Sequence, residues 1–190
     1  MFALPGTPVI RYGDEIGMGD DLNLPERACA RTPMQWSTEP EGGFTKNSKL
    51  VCPVINEGPY GYQHINVANQ RRDPNSMLNW TERLIRMRKE APEIGWGDFT
   101  TLNTGDEGVL GLRYDWRGNS VVILHNFHSQ PVEIRLNPSI GNEGRELIDI
   151  ADGASSHADD KGRHTVMLDA YGYRWYRAGG LDYLLERREI

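Results

Sequence analysis

Asp14-Glu15, with Asp20-Asp21 shortly after, forms a candidate acid–base group. Chemistry at a glycosidic bond takes two carboxyls about 5–10 Å apart on opposite sides of that bond. Neighbouring side chains on an extended segment point to opposite faces, so Asp14 and Glu15 do not face one sugar together. Their position after a short apolar run still allows one of them to line a pocket. Ordering a loop is the commoner use of such acids, and both readings stay open. His125 and His128 are three apart, which on a strand turns them to opposite faces and gives no shared metal site. His157 and His164 follow at some distance. Cys29 has no base near it in sequence, so it is not read as a catalytic thiol. Aromatic residues gather late in the chain: Trp116, Phe127, Tyr171, Tyr173, Trp175, Tyr176 and Tyr183. They read first as core filling between two sheets, with a sugar-stacking surface as the alternative.

The elements that must position these groups change character along the chain. Pro5 to Gly13 is a short apolar run bounded by Pro and Gly, as expected of a buried parallel strand followed by a sharp turn. Such a strand needs neighbours on both sides, and nothing before it in the sequence supplies one; truncation is the expectation. Asp14 to about Asn69 is rich in Gly, Pro, Asn and charge and reads as a long functional loop with a short helix or two. A helix is expected over about 74–90. Asp73 is its N-cap, Pro74 its first residue, and Met77, Trp80, Leu84 and Met87 recur at helical spacing. Glu82 and Arg86 form an i,i+4 pair, and Pro92 and Gly95 stop the helix. From Gly97 onward the period becomes two, with strands expected at 99–102, 109–116, 120–127, 132–136, 146–150, 165–168 and 173–176. Short strands with tight turns argue an antiparallel sandwich or small barrel. The domain boundary is placed near residue 97, giving domains 1–97 and 98–190.

The chain has 190 residues and a formal net charge of -6, with 27 acidic against 21 basic residues. That balance leaves no electrostatic footprint for nucleic acid. Arg83, Arg86, Arg88 and Lys89 bunch on the expected helix and read as a solvated face. Cys29 and Cys52 imply no disulfide framework, so a reduced, cytoplasmic protein is expected. No apolar run approaches the ~20 residues of a membrane span, and the first residues do not have a signal-peptide pattern. The triplet Asn79-Trp80-Thr81 falls inside the expected helix and reads as an accidental glycosylation match.

Three segments lift the reading above generic structure. Leu4 to Met18, LPGTPVIRYGDEIGM, resembles the eighth barrel strand and following turn of the α-amylase superfamily, glycoside hydrolase family 13. Arg31-Thr32-Pro33-Met34-Gln35-Trp36, with Gly42-Gly43-Phe44 after it, resembles the next loop in its α-glucosidase and glucosyl-isomerising branches. Tyr60-Gly61-Tyr62-Gln63, then Asn66-Val67 and Gln70 to Trp80, is most similar to the trehalose synthase branch, as is the closing segment Tyr171 to Tyr176. The resemblance covers nearly the whole chain.

It implies the last βα unit of a (β/α)8 barrel, with residues 7–12 as its strand and about 74–90 as its helix, followed by a C-terminal antiparallel β-sandwich, an α/β plus all-β chain. It also implies isomerisation of maltose to trehalose by a retaining mechanism in a full-length parent, with a small α-glucoside as ligand. Arg31 is the first choice for a substrate contact, since a guanidinium can bridge sugar hydroxyls and an acidic neighbour in fixed geometry. The resemblance places it at the aglycone side; an ion pair holding the loop is the alternative. Asp14 and Glu15 follow as pocket-lining or loop-fixing groups, and Gln35 as a substrate-side group or loop anchor. The family's nucleophile and acid come from earlier strands, and no Asn-His-Asp sequence occurs in these 190 residues. The chain alone is therefore expected to be inactive, with no catalytic residue, metal or cofactor assigned. Residues 1–15 and the apolar side of the 74–90 helix are expected to be exposed and to promote association, and a homo-oligomer stays open. The rivals are an α-glucosidase or oligo-1,6-glucosidase parent and a non-catalytic sugar-binding or interaction module.

Overall fold

The computed structural model describes residues 1–47 and 49–179. Two compact units divide it: residues 8–86, and residues 1–7 together with 87 onward.

The first unit is mostly loop, as its Gly, Pro and Asn content dictates. Three single 3₁₀ turns, Asp14–Ile16, Glu26–Ala30 and Pro40–Gly43, punctuate it before helix α1, Val67–Arg72. Asn66 caps α1 by accepting from the Asn69 amide at 2.8 Å. Residues 7–12 form no strand. A parallel strand exists only between ladder partners, and no strand among the described residues pairs with this segment. A small core of Ile16, Met18, Met34 and Val67 gathers the loop instead.

Helix α2 spans Met77–Glu90. Its start differs from the expected one. Ser76 is the capping residue, accepting from the Asn79 amide at 3.3 Å, while Asp73 closes α1 and accepts from the Asn75 amide at 2.9 Å. An Asp two residues before an amide makes a local turn that competes with helix. Met77, in the first turn, is exposed rather than buried. Leu84 and Met87 are buried, so that part of the helix face is not exposed as expected. Glu82 and Arg86 do pair. Asn79 donates its side-chain amide to the Gln70 and Asp73 carbonyls at 2.9 and 2.7 Å, and this amide holds the α1–α2 corner.

In the second unit, α3 covers Glu93–Trp96 and is followed, among the described residues, by eight strands. They are β1 Asp98–Leu102, β2 Val109–Trp116, β3 Asn119–Asn126, β4 Val132–Leu136, β5 Glu146–Asp149, β6 Ser155–His157, β7 His164–Leu168 and β8 Tyr173–Ala178. Six form one sheet in the order β1-β2-β3-β8-β5-β6, and β4 pairs with β7 in a second. All pairings are antiparallel. Val122, Leu124, Leu147 and Tyr176 of the large sheet share one core with Ile134, Leu136, Val166 and Leu168 of the small one. Strands β4 and β7 alternate buried and exposed as a period of two requires. Central strand β3 is buried from Ser120 to Leu124, because both of its faces are covered. Strand β6 escapes the pattern: Ser155, Ser156 and His157 show no apolar alternation, and the segment is held by pairing with β5.

Arg88 does not lie on a solvated face. Its guanidinium donates to the carbonyls of Phe2, Leu4 and Gly6, and burial lowers its pKa from the usual value. Phe2 and Ala3 are consequently buried, and the buried Tyr114 hydroxyl donates to the Ala3 carbonyl at 2.7 Å. No helix among the described residues is long and apolar enough to cross a membrane.

Candidate functional site

The site begins at the turn after residue 12. Gly13 has φ 95°, and a Cβ there would stand 2.8 Å from the Met18 sulfur, so glycine is required where the chain doubles back. The turn is fixed by its own acids. Asp14 accepts from the Arg11 amide at 2.9 Å and pairs with the Arg11 guanidinium at 3.3 Å. Glu15 accepts from the Gly13 amide at 2.9 Å. Asp20 meets the other side of Arg11 at 3.3 Å. Gln70 then ties the turn to the helices, donating to the Ile16 carbonyl at 2.7 Å and accepting from the Leu78 amide at 2.9 Å.

The Arg31-to-Trp36 loop is held from inside. Gln35 is fully buried and donates to the Tyr60 and Ile65 carbonyls at 3.0 and 2.5 Å. Its own carbonyl accepts the Val67 amide at 2.9 Å, and Trp36 does the same for Ala68 at 3.0 Å. The Tyr12 hydroxyl accepts from the Met34 amide at 3.1 Å, joining this loop to the Gly13 turn. Main-chain pairing on one side and a buried amide on the other leave the start of the loop as its free surface.

That surface opens on a cavity of about 840 Å³, lined among others by Arg11, Tyr12, Arg27, Arg31, Phe44 and Lys49. Its lining includes four cations and no carboxylate. Arg11 is committed to Asp14 and Asp20. The side chains of Arg27, Arg31 and Lys49 have no hydrogen bond or ion pair among the described residues. Thr32 adds a buried hydroxyl with no partner there. Unpaired donors around an apolar, aromatic-edged hollow suit a ligand rich in oxygen acceptors.

Of the four residues singled out in the sequence, only Arg31 lines this cavity. Asp14 and Glu15 are turned onto the backbone of their own turn, and Gln35 anchors the loop. Arg11, Arg27, Lys49, Tyr12 and Phe44 escape sequence reading because no short-range spacing connects Tyr12 with Phe44 or Lys49. Gln70 escapes it for the same reason. The histidines act as supports. His164 is buried between Ser156 at 3.0 Å and the Gly144 carbonyl at 2.8 Å, and His128 pairs with Asp106 at 2.7 Å. Cys29 and Cys52 are both free. Among the late aromatics, Trp175 and Tyr176 fill the core while Phe127 and Tyr171 stay exposed; Tyr183 lies outside the described residues. No cluster of three metal-ligating side chains occurs among the described residues.

Residues 1–97 match the family described as "Alpha amylase, catalytic domain", and residues 118–177 the family described as "Sucrose hydrolase-like, C-terminal domain". The chain is 35% identical over 185 residues to a trehalose synthase of Pimelobacter sp. (strain R48), covering 93% of this chain and 32% of that protein. It is 33% identical over 178 residues to a trehalose synthase of Thermus thermophilus, covering 91% of this chain and 18% of that one. The chain thus spans a third or less of the length of these relatives. A solved structure of MutB in complex with isomaltulose superposes with a TM-score of 0.69 at 21% identity, covering 93% of this chain and 36% of MutB.

Proposed function

Because this chain belongs to the α-amylase family by the match of residues 1–97 to its catalytic domain, we propose that it forms the aglycone-side wall of a maltose–trehalose glucosyl isomerase. The 35% identity to a trehalose synthase over nearly the whole chain supports the substrate pair. The observation that carries the reading is the Arg31 guanidinium, which lines the 840 Å³ cavity with no partner among the described residues. A planar guanidinium left free at a cavity wall can hold two sugar hydroxyls while the glucosyl group turns over. Asp14 and Asp20 hold Arg11 in place on the same wall, Glu15 fixes the turn, and Gln35 sets the height of Arg31 through the loop. In the whole protein a carboxylate nucleophile and a carboxylic acid supply the retaining chemistry; these residues bind and orient. We place the division between the barrel part and the β-domain near residue 97, and the working protein in the cytoplasm.

Two measurements test this. In the whole enzyme, Arg31→Ala is expected to lower kcat/KM for maltose by roughly tenfold to a hundredfold, the worth of a charge-assisted contact. Unchanged kinetics would remove Arg31 from the site. The purified 190-residue chain, cleared of host maltase, is expected to give neither trehalose nor glucose from maltose; turnover by it would sink the assignment of the chemistry to residues outside these 190.

A further inference from the structure

Where β3 leaves the large sheet and β8 enters it, a group of rings stands outside both the core and the cavity. His125 and Tyr173 are cross-strand partners with ring centroids 6.0 Å apart. His125 also stacks on Phe127 at 6.3 Å with 12° between the planes. Tyr171 follows in the adjoining turn. Phe127 is 64% exposed and Tyr171 70%. The backbone beneath them is firmly held. Phe127 donates its amide to the Gly108 carbonyl at 2.8 Å and Tyr171 to the His128 carbonyl at 3.0 Å. The buried Asn126 side chain donates to the carbonyls of Gln130 and Asp169 at 2.9 and 2.8 Å.

Tyr171 has φ 53°, a left-handed conformation that costs a residue with a Cβ roughly 1–2 kcal/mol. The strain is not offset by burying its ring, which points to water. We propose that Phe127 and Tyr171, backed by His125 and Tyr173, form a stacking surface for a neutral pyranose oligosaccharide, built from residues other than those of the Arg31 cavity. The ligand class follows from size and from the chemistry of the rings. Asp106 and His128, beside the rings, engage each other at 2.7 Å. The two exposed rings present on the order of 200–300 Å², well short of the roughly 800 Å² per partner of a stable protein interface. A pyranose, with apolar C–H faces and a rim of hydroxyls, matches two flat exposed rings, one of which, Tyr171, carries a phenolic hydroxyl at its edge.

The test is affinity electrophoresis of the 190-residue chain in gels containing soluble starch, with titration by maltoheptaose for constants. The chain is expected to be retarded. Phe127→Ala and Tyr171→Asn should each weaken binding roughly threefold to tenfold. Asparagine tolerates the left-handed backbone, so the second variant removes the ring without unfolding the turn. Tyr171→Trp should retain binding, and Phe99→Ala, an exposed ring on β1, should leave it unchanged. The proposal is overturned if starch does not retard the chain, or if Arg31→Ala abolishes retardation that both ring variants keep. It is equally overturned if the ring variants change only the sedimentation of the chain, which would make the surface a self-association contact.

Discussion

Within the Arg31-to-Trp36 loop two neighbouring polar residues have opposite fates, and their variants should separate. Gln35 is fully buried and satisfies two main-chain carbonyls. Gln35→Ala would leave both carbonyls without a donor and is expected to cost about 1–3 kcal/mol in urea unfolding. Arg31→Ala, at an exposed side chain without a partner, should stay within about 0.5 kcal/mol of the parent chain in the same assay. A destabilised Arg31→Ala would instead make Arg31 a loop-holding residue. Asp159 gives a pH handle in the β6–β7 turn. Hydrogen bonds from the Arg163 amide and guanidinium, and from the Lys161 amide, hold its pKa down from 3.8 to about 2. A depressed carboxyl contributes stability that is complete above the unfolded pKa and lost as pH falls through the folded one. Amide protection at Lys161 and Arg163 is therefore expected to fall between about pH 4 and pH 2, and Asp159→Asn should abolish that dependence.

At the scale of elements, α3 is held by a buried ion pair where a short helix could not hold itself. Glu93 is fully buried and stands 3.5 Å from the Arg177 guanidinium on β8, which also donates to the Glu90 carbonyl at 2.7 Å. Removing one member of such a pair takes a partner from the other charge in low dielectric. Arg177→Ala is expected to destabilise the chain by about 3 kcal/mol or more, read by thermal unfolding; a loss below about 1 kcal/mol would mean that the pair does not hold α3. The strands were legible because each reports its own alternation: Val132 to Leu136 and Thr165 to Leu168 show which face is inward without reference to anything distant. Residues 7–12 show the limit of that logic, since an apolar run specifies a strand only when ladder partners are present. The start of α2 shows another: Asp73 and Ser76 are both good capping residues, and the hydrogen bonds of Gln70 and Asn79 decide between them.

For the molecule as a whole, the cavity rim carries apolar exposure that has to be accounted for. Val51 is fully exposed, and Tyr12 and Phe44 on the same wall are about half exposed. Apolar rims of this kind favour association. Sedimentation velocity should show a weight-average mass that rises with concentration, and Val51→Ser should reduce the rise; a strictly monomeric chain would contradict it. Composition and local period determined the division of the chain into a loop-rich part, one long helix and a run of antiparallel strands. The RTPMQW loop was likewise visible as a motif, because its residue order is itself the signal. Tertiary structure alone decided that Arg31 is free while Gln35 is buried, that Asp14 and Glu15 serve their own turn, and that Arg88 fastens residues 1–6. The reason is physical. Alternation is a property of one element and can be read along it. Satisfaction of a polar group depends on partners far away in sequence, such as Gln35 with Ile65, 30 residues on, or Tyr114 with Ala3, 111 residues back.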